Sequence, residues 1–265
     1  MSYVINTVNA KNSLVRLQQF FSKTSMTSKA EVLLPENIEH GSIEHYRYLF
    51  YSCMLNYGMK SSILHENLMK LYEQKPLIFS PKYICKIYEN NFDALADILR
   101  SYVHVRYPNQ CAKNWFFLSQ ILHEHYNDNP KELFVGKNTY HDFQLTILKL
   151  KGYGQKTGGL LLRMLIDNGL LSPIDGIADI PIDRHDIDLS IWLGVITGLT
   201  AEDIKKNKKV IGLLSATWVK VSNELYISPS VTDQYLWLIG SQFCTKDKCS
   251  SCPLNNDCSK KREDI

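Results

Sequence analysis

The sequence predicts an all-α protein, long enough for one large domain or two small lobes. Apolar residues recur at three- and four-residue spacing through most long segments, the mark of helices with one buried face. Pro35, Pro76, Pro81, Pro108, Pro130, Pro173, Pro181 and Pro229 fall between those segments, where helices must break. No alternation of apolar and polar residues persists long enough to build a substantial sheet.

The elements follow in order. Residues 1–40 carry little periodic signal and are expected to form an N-terminal helix and linker. Ile43–Met59, Phe92–Val103, Ala112–His125 and His141–Leu150 then read as helices. The last of these should end near Lys151, with a Gly-x-Gly turn after it and a new helix opening near Gln155. Ile187–Thr197 reads as a further apolar helix, and Thr200 with Asp203 resembles a capping arrangement ahead of Ile204. Val231–Phe243 closes the helical part, and a short tail with Lys260, Lys261 and Arg262 ends the chain.

At 265 residues, 45% of them hydrophobic and 22% charged, the chain has ample material for a core and an ordinary globular balance. A net charge of +3 permits nucleic-acid binding without requiring it, because binders concentrate charge locally. No apolar run reaches the roughly 18 residues of a membrane span. The N-terminus shows no basic region followed by an apolar stretch, so a cytoplasmic, reducing setting is expected.

Cysteine placement is lopsided. Cys53, Cys85 and Cys111 sit singly among apolar neighbours and read as buried small hydrophobes. Cys244, Cys249, Cys252 and Cys258 crowd into the last 22 residues, and in a reducing compartment such a cluster binds metal before it forms disulfides. Four thiolates suit either an iron–sulfur cluster or tetrahedral zinc.

The stretch Leu148–Gly159 holds the most specific internal signal. Gly152 and Gly154 tolerate unusual backbone angles and leave the chain bare, so amides of the turn and of the helix start at Gln155 can meet a phosphate oxygen. Lys149 and Lys151 add attraction independent of base sequence. Lys156 would stand in the first helical turn, where a cation opposes the helix dipole, and such a placement asks for a functional reason.

Leu150-Lys151-Gly152-Tyr153-Gly154-Gln155-Lys156-Thr157, between two amphipathic helices, resembles the hairpin of the helix-hairpin-helix (HhH-GPD) DNA glycosylase superfamily, which includes endonuclease III. In bifunctional members the lysine at the place of Lys156 attacks the sugar. The superfamily's catalytic aspartate opens a helix after the hairpin helix, and Ile180-Pro181-Ile182-Asp183-Arg184-His185 occupies that place. The resemblance therefore implies Lys156 and Asp183 as the catalytic pair. Asp183 also reads as a helix N-cap, and the two roles are compatible. Asp186 and Asp188 lie close by.

The interval from Lys156 to Asp183 is longer than in endonuclease III, with Asn168–Asp179 as the added stretch, and Asp188 stands where a basic residue is usual. The Ile-Pro-Ile-Asp wording is similar to the archaeal 8-oxoguanine glycosylase branch. The four cysteines resemble instead the [4Fe–4S] loop of the endonuclease III and adenine-glycosylase branches; the last two spacers match and the first is shorter by two residues. Tyr48–Gly58 resembles the helix and loop that insert a polar residue where a base has been extruded, which implies Asn56 and Tyr57 as DNA contacts alongside Lys151, Gly152, Gly154 and Gln155. Arg106–Lys113 is similar to a helix opening of the same superfamily.

What the resemblance implies is a base-excision glycosylase with lyase activity at abasic sites, acting as a monomer on double-stranded DNA in the cytoplasm and nucleoid, or in a nucleus. The division is then an N-terminal helix and linker at 1–40, a glycosylase domain at 41–243 with its hairpin at 148–159, an iron–sulfur loop at 244–258 and a basic tail at 259–265. The resemblance also implies two helical lobes with a DNA groove and base pocket between them. Zinc stays open as the alternative metal. Lys246, Lys248, Lys260, Lys261 and Arg262 are expected to face phosphate, and a desolvated Lys156 to attack the sugar. Trp115, Phe116, Trp192, Trp218 and Trp237 can wall a base pocket or fill the core, and the core has the better claim. The base itself is open, with a lean to 8-oxoguanine. A non-catalytic DNA-binding module and a glycosidase of modified RNA or nucleosides are the rival functions.

Overall fold

A computed structural model describes residues 3–24, 34–56, 61–174 and 179–262. Helices dominate, as the apolar spacing requires. The chain folds as two compact units, one made of residues 1–29 with 177–265 and the other of residues 30–176. The strand β1 (Val4–Ile5) and helix α1 (Thr7–Phe21) open the first unit. The second holds α2 (Ile43–Met54), α3 (Ser61–Gln74), α4 (Pro81–Tyr88), α5 (Phe92–Ile98), α6 (Pro108–His125), α7 (Tyr140–Leu148) and α8 (Gln155–Asp167). The chain then completes the first with α9 (Arg184–Trp192), β2 (Ile196–Thr197), α10 (Ala201–Lys206), α11 (Lys208–Glu224) and α12 (Pro229–Leu238).

Local chemistry explains most of these boundaries. Pro81, Pro108 and Pro229 stand at the first helical position, where a missing N–H is harmless. Asn6, Ser42, Asn91, Thr139 and Asn207 cap their helices through side-chain oxygens. Thr200 and Asp203 form the expected reciprocal capping box.

Other boundaries differ from expectation. Within the described residues α2 stops at Met54, with Leu55 as its C-cap, short of Met59. Phe92–Val103 is a helix only to Ile98; Leu99–Val103 is a π turn, ended by His104 in the left-handed region at φ 61°. The expected helix Ile187–Thr197 ends at Trp192 instead. Gly194 turns left-handed at φ 64°, and Ile196–Thr197 pairs antiparallel with Val4–Ile5. The cause lies far away in sequence: the Asn9 amide donates to the carbonyls of Leu193 (3.2 Å) and Gly194 (3.1 Å), capping the helix end from α1. The N-terminal segment does carry a helix, with Ala10, Leu14, Leu17 and Phe21 buried along one face of α1.

Each unit has its own core. Leu14, Leu17, Trp218, Leu236 and Ile239 are wholly buried in the first, each such side chain contributing about 1.5–3 kcal/mol. In the second, Tyr51 stacks on Trp115 with ring centroids 4.4 Å apart, and the Trp115 indole N–H donates to the Ile78 carbonyl at 3.0 Å. Trp115, Phe116 and Trp218 are thus core, while Trp192 and Trp237 are half-buried against it. Cys53 is buried as expected, but Cys85 and Cys111 are only half-buried. Among the described residues no helix is long and apolar enough to cross a membrane.

Candidate functional site

In the unit of residues 30–176, α7 and α8 form the hairpin. Its turn lies between Leu148 and Gln155, so the second helix begins at the expected residue. Gly152 takes φ 95°, and a Cβ there would lie 3.0 Å from the Asn114 amide nitrogen; a side chain at 152 would meet both backbone strain and α6. Asn114 is itself oriented, its Oδ1 accepting from Gln110 Nε2 at 2.9 Å. Gly158 lets α8 close on α7, since even a methyl group would stand 3.2 Å from Ile147.

Tyr153 anchors the turn from below. It is 5% exposed, and its hydroxyl donates to the Phe50 carbonyl of α2 at 2.5 Å. Burial pushes the phenol well above its ordinary range, so it stays a donor at any physiological pH. The Cys53 thiol donates to the Thr157 carbonyl at 3.3 Å, which lays the end of α2 along the start of α8. Asn56 lies just beyond the C-cap of α2 and is half-buried. Tyr57 lies outside the described residues.

Gly154 is the N-cap of α8 and offers no capping side chain, so the first-turn amides are left for an outside acceptor. Gln155 and Lys156 follow and are exposed. Lys156 is thus exposed rather than desolvated as expected. Lys151 is exposed too, with its ammonium 3.9 Å above the Phe117 ring.

In the other unit Asp183 is the N-cap of α9. Its Oδ1 accepts from the backbone N–H groups of His185 at 2.7 Å and Asp186 at 3.3 Å. Asp186 returns the favour, its Oδ2 accepting from the Asp183 N–H at 2.7 Å, and is 2% exposed. Asp188 is engaged by Arg184 at 2.8 Å, and Arg184 also reaches Glu202. Asp183 thus combines a carboxylate fixed by the first turn of α9 with partial exposure.

Cys244, Cys249, Cys252 and Cys258 line one hollow, whose apolar wall includes Leu189, Ile239, Phe243 and Leu254. A π turn at Ile239–Phe243 delivers Cys244. Burial, then the neighbouring Cys252 and Cys258, push the Cys244 thiol up to about 12, against the pull of Lys260; Cys252 is raised as well, chiefly by burial. Thiolates crowded in apolar surroundings need a cation to offset them, and this donor set fits a metal group. No group of three or more His, Cys, Asp or Glu among the described residues is arranged to hold a single metal ion. Lys260 does not extend toward solvent as expected: its ammonium donates to the Cys244 carbonyl at 2.8 Å and to Asp247 at 3.1 Å. Lys246 likewise bonds Gln242 at 2.7 Å, while Lys248 is exposed. The side chains of Lys261 and Arg262 lie outside the description.

This order of helices, with a glycine hairpin between α7 and α8, is a fold that the chain shares with solved structures. Among solved structures, this chain is similar to an endonuclease III trapped as a covalent intermediate with DNA. The TM-score is 0.65 at 18% identity, over 98% of this chain and 100% of that one. It is also similar to a thermostable thymine-DNA glycosylase, with a TM-score of 0.61 at 13% identity, over 97% of this chain and 98% of that one. No protein-family model matches the sequence, and neither does any curated protein.

Proposed function

We propose that this protein is a DNA glycosylase with lyase activity at abasic sites, with Lys156 as nucleophile and Asp183 as the catalytic carboxylate. The observation that carries the reading is the hairpin: an anchored glycine turn, an uncapped helix start and an exposed lysine in its first turn. The turn's amides and the α8 N-terminus would take a phosphate of the DNA backbone, aided by Lys151. A base inside a duplex is out of reach, so the target nucleotide would be extruded, at a cost of a few kcal/mol, with Asn56 and Tyr57 offsetting part of it in the vacated gap. The solved endonuclease III, held covalently on DNA, is consistent with this chemistry.

The bond changes follow from an amine nucleophile. The Lys156 nitrogen lone pair attacks the anomeric carbon, the glycosidic bond breaks, and the base leaves with the bonding pair and acquires a proton. Asp183 stabilises the positive charge that builds on the sugar and shuttles protons. Opening of the sugar ring gives a protonated Schiff base; loss of a C2′ proton then expels the 3′ phosphate by β-elimination. Duplexes each bearing one modified base, among them 8-oxoguanine, oxidised pyrimidines and a plain abasic site, would be incubated with the protein and borohydride. A covalent adduct with at least one modified base supports the reading, and binding without adduct or base release on every duplex would leave a non-catalytic DNA-binding module. The Ile-Pro-Ile-Asp wording makes 8-oxoguanine the first substrate to try.

Cys244, Cys249, Cys252 and Cys258 would hold a [4Fe–4S] cluster. Four thiolates suit tetrahedral zinc as well; the four cysteines line one hollow here, and the last two spacers of the loop, which resemble those of the iron–sulfur branch, favour the cluster. When bound, the group would supply structural order to the loop, and no step of base release passes through it. Protein purified without oxygen is expected to be yellow-brown, with about four irons per chain. Removing the iron should loosen the loop and weaken duplex binding, since chelation energy is folding energy in so short a segment. Colourless protein carrying one zinc and no iron would refute the cluster and leave the structural role to zinc.

A further inference from the structure

The segment that delivers Cys244 also touches the turn that holds Asp183. Gly240 lies in the π turn Ile239–Phe243, and its bare Cα faces α9. A Cβ on Gly240 would stand 2.4 Å from the Cβ of His185, 2.6 Å from its Cγ and 2.9 Å from its Nδ1. The nearest of these atoms is the root of the side chain, so rotating the ring relieves nothing, and a methyl group at 240 can be admitted only by moving the first turn of α9. That turn is where the N–H groups of His185 and Asp186 grip the Asp183 carboxylate, at 2.7 and 3.3 Å. One turn further along, Leu189 of the same helix walls the cysteine hollow beside Ile239 and Phe243. π turns are rare and recur at functional sites, which suits a turn shaped to bring a glycine against a neighbouring helix.

We propose that Gly240 and His185 are positioning residues, through which the segment leading into the cysteine loop sets the place of the Asp183 carboxylate. The coupling to base release rests on the reading of Asp183 given above. His185 acts through its backbone, by donating to the carboxylate, and through its Cβ, by seating against Gly240. A loop held in order thus keeps the carboxylate in register, and a loop displaced shifts it.

The test uses the full chain as purified and three variants: Gly240→Ala, Gly240→Ala with His185→Gly, and Asp183→Asn. Glycine at 185 removes the atoms that the new methyl group would strike. The first readout is the backbone amide resonance of Asp186, which reports its hydrogen bond to Asp183. It should move in Gly240→Ala and return in the double variant; an unmoved resonance in Gly240→Ala overturns the proposal. The second readout is single-turnover base release from the duplex that wild type processes, set against affinity for the same duplex. A displacement of about 1 Å at a reacting group lowers rates by about a hundredfold, so Gly240→Ala should lose that much rate with unchanged affinity, and the double variant should regain most of it. Full rate in Gly240→Ala while Asp183→Asn is inactive overturns the positioning role alone. Full rate in Asp183→Asn overturns the catalytic reading, and with it the link between this contact and base release.

Discussion

Lys156→Ala should abolish every borohydride-trapped adduct while leaving the protein folded. Lys156 is the second residue of α8, whose N-cap is Gly154. A cation there works against the helix dipole by about 0.3–1 kcal/mol, and alanine is the better helix former. Exposure of the side chain means that no core contact is lost. Thermal unfolding is therefore expected within a few degrees of the wild-type midpoint, and duplex affinity should fall only slightly, because the hairpin amides remain. Loss of chemistry in a protein that stays folded is the pattern of a residue kept for reaction. An undiminished adduct in Lys156→Ala would transfer the nucleophile to another amine and end the assignment.

Lys156 and the hairpin were legible in the sequence because their signals are local. The Gly-x-Gly turn demands glycine where φ is 95°, and the helix after it starts at Gln155, directly past the turn. The Asp183 cap is local in the same way, since the amides it accepts from lie two and three residues on. The clustering of Cys244, Cys249, Cys252 and Cys258 needed only spacing, though their shared hollow depends on Leu189 and Ile239 from outside the loop.

What could not be read depends on residues far apart in the chain. Nothing near Gly194 announces that Asn9 caps that helix end, which is why Ile196–Thr197 read as helix and folds as strand. Trp115 and Trp192 carry the same apolar signal, yet one is sealed under Ile78 and Tyr51 and the other is half-buried beneath the Lys260 ammonium. Lys260 itself looked like a phosphate ligand in a basic tail, and a carbonyl sixteen residues back claims it. Gly240 gave no sign at all, since its role is defined by a neighbour more than fifty residues earlier.

Asp183→Asn should lose most base-release activity while keeping both fold and duplex affinity. Asparagine caps a helix about as well as aspartate, and its side-chain oxygen can still accept from the His185 and Asp186 amides. The cap itself is kept, so the helix-start contribution to stability should change by no more than about 1 kcal/mol. What asparagine cannot do is carry negative charge against a developing sugar cation or move a proton, and losing such a group lowers rates by about 10²–10⁴-fold. Asp183→Ala is the less informative variant, because it would also remove the cap and cost about 1 kcal/mol of stability. The measurement is single-turnover base release beside equilibrium binding of the same modified duplex. Retained activity in Asp183→Asn would move the role elsewhere, and the neighbours are poor heirs: Asp186 is 2% exposed and spends one oxygen on the Asp183 amide. Asp188 is paired with Arg184. A fully active Asp183→Asn would therefore argue that base release here needs no carboxylate from α9.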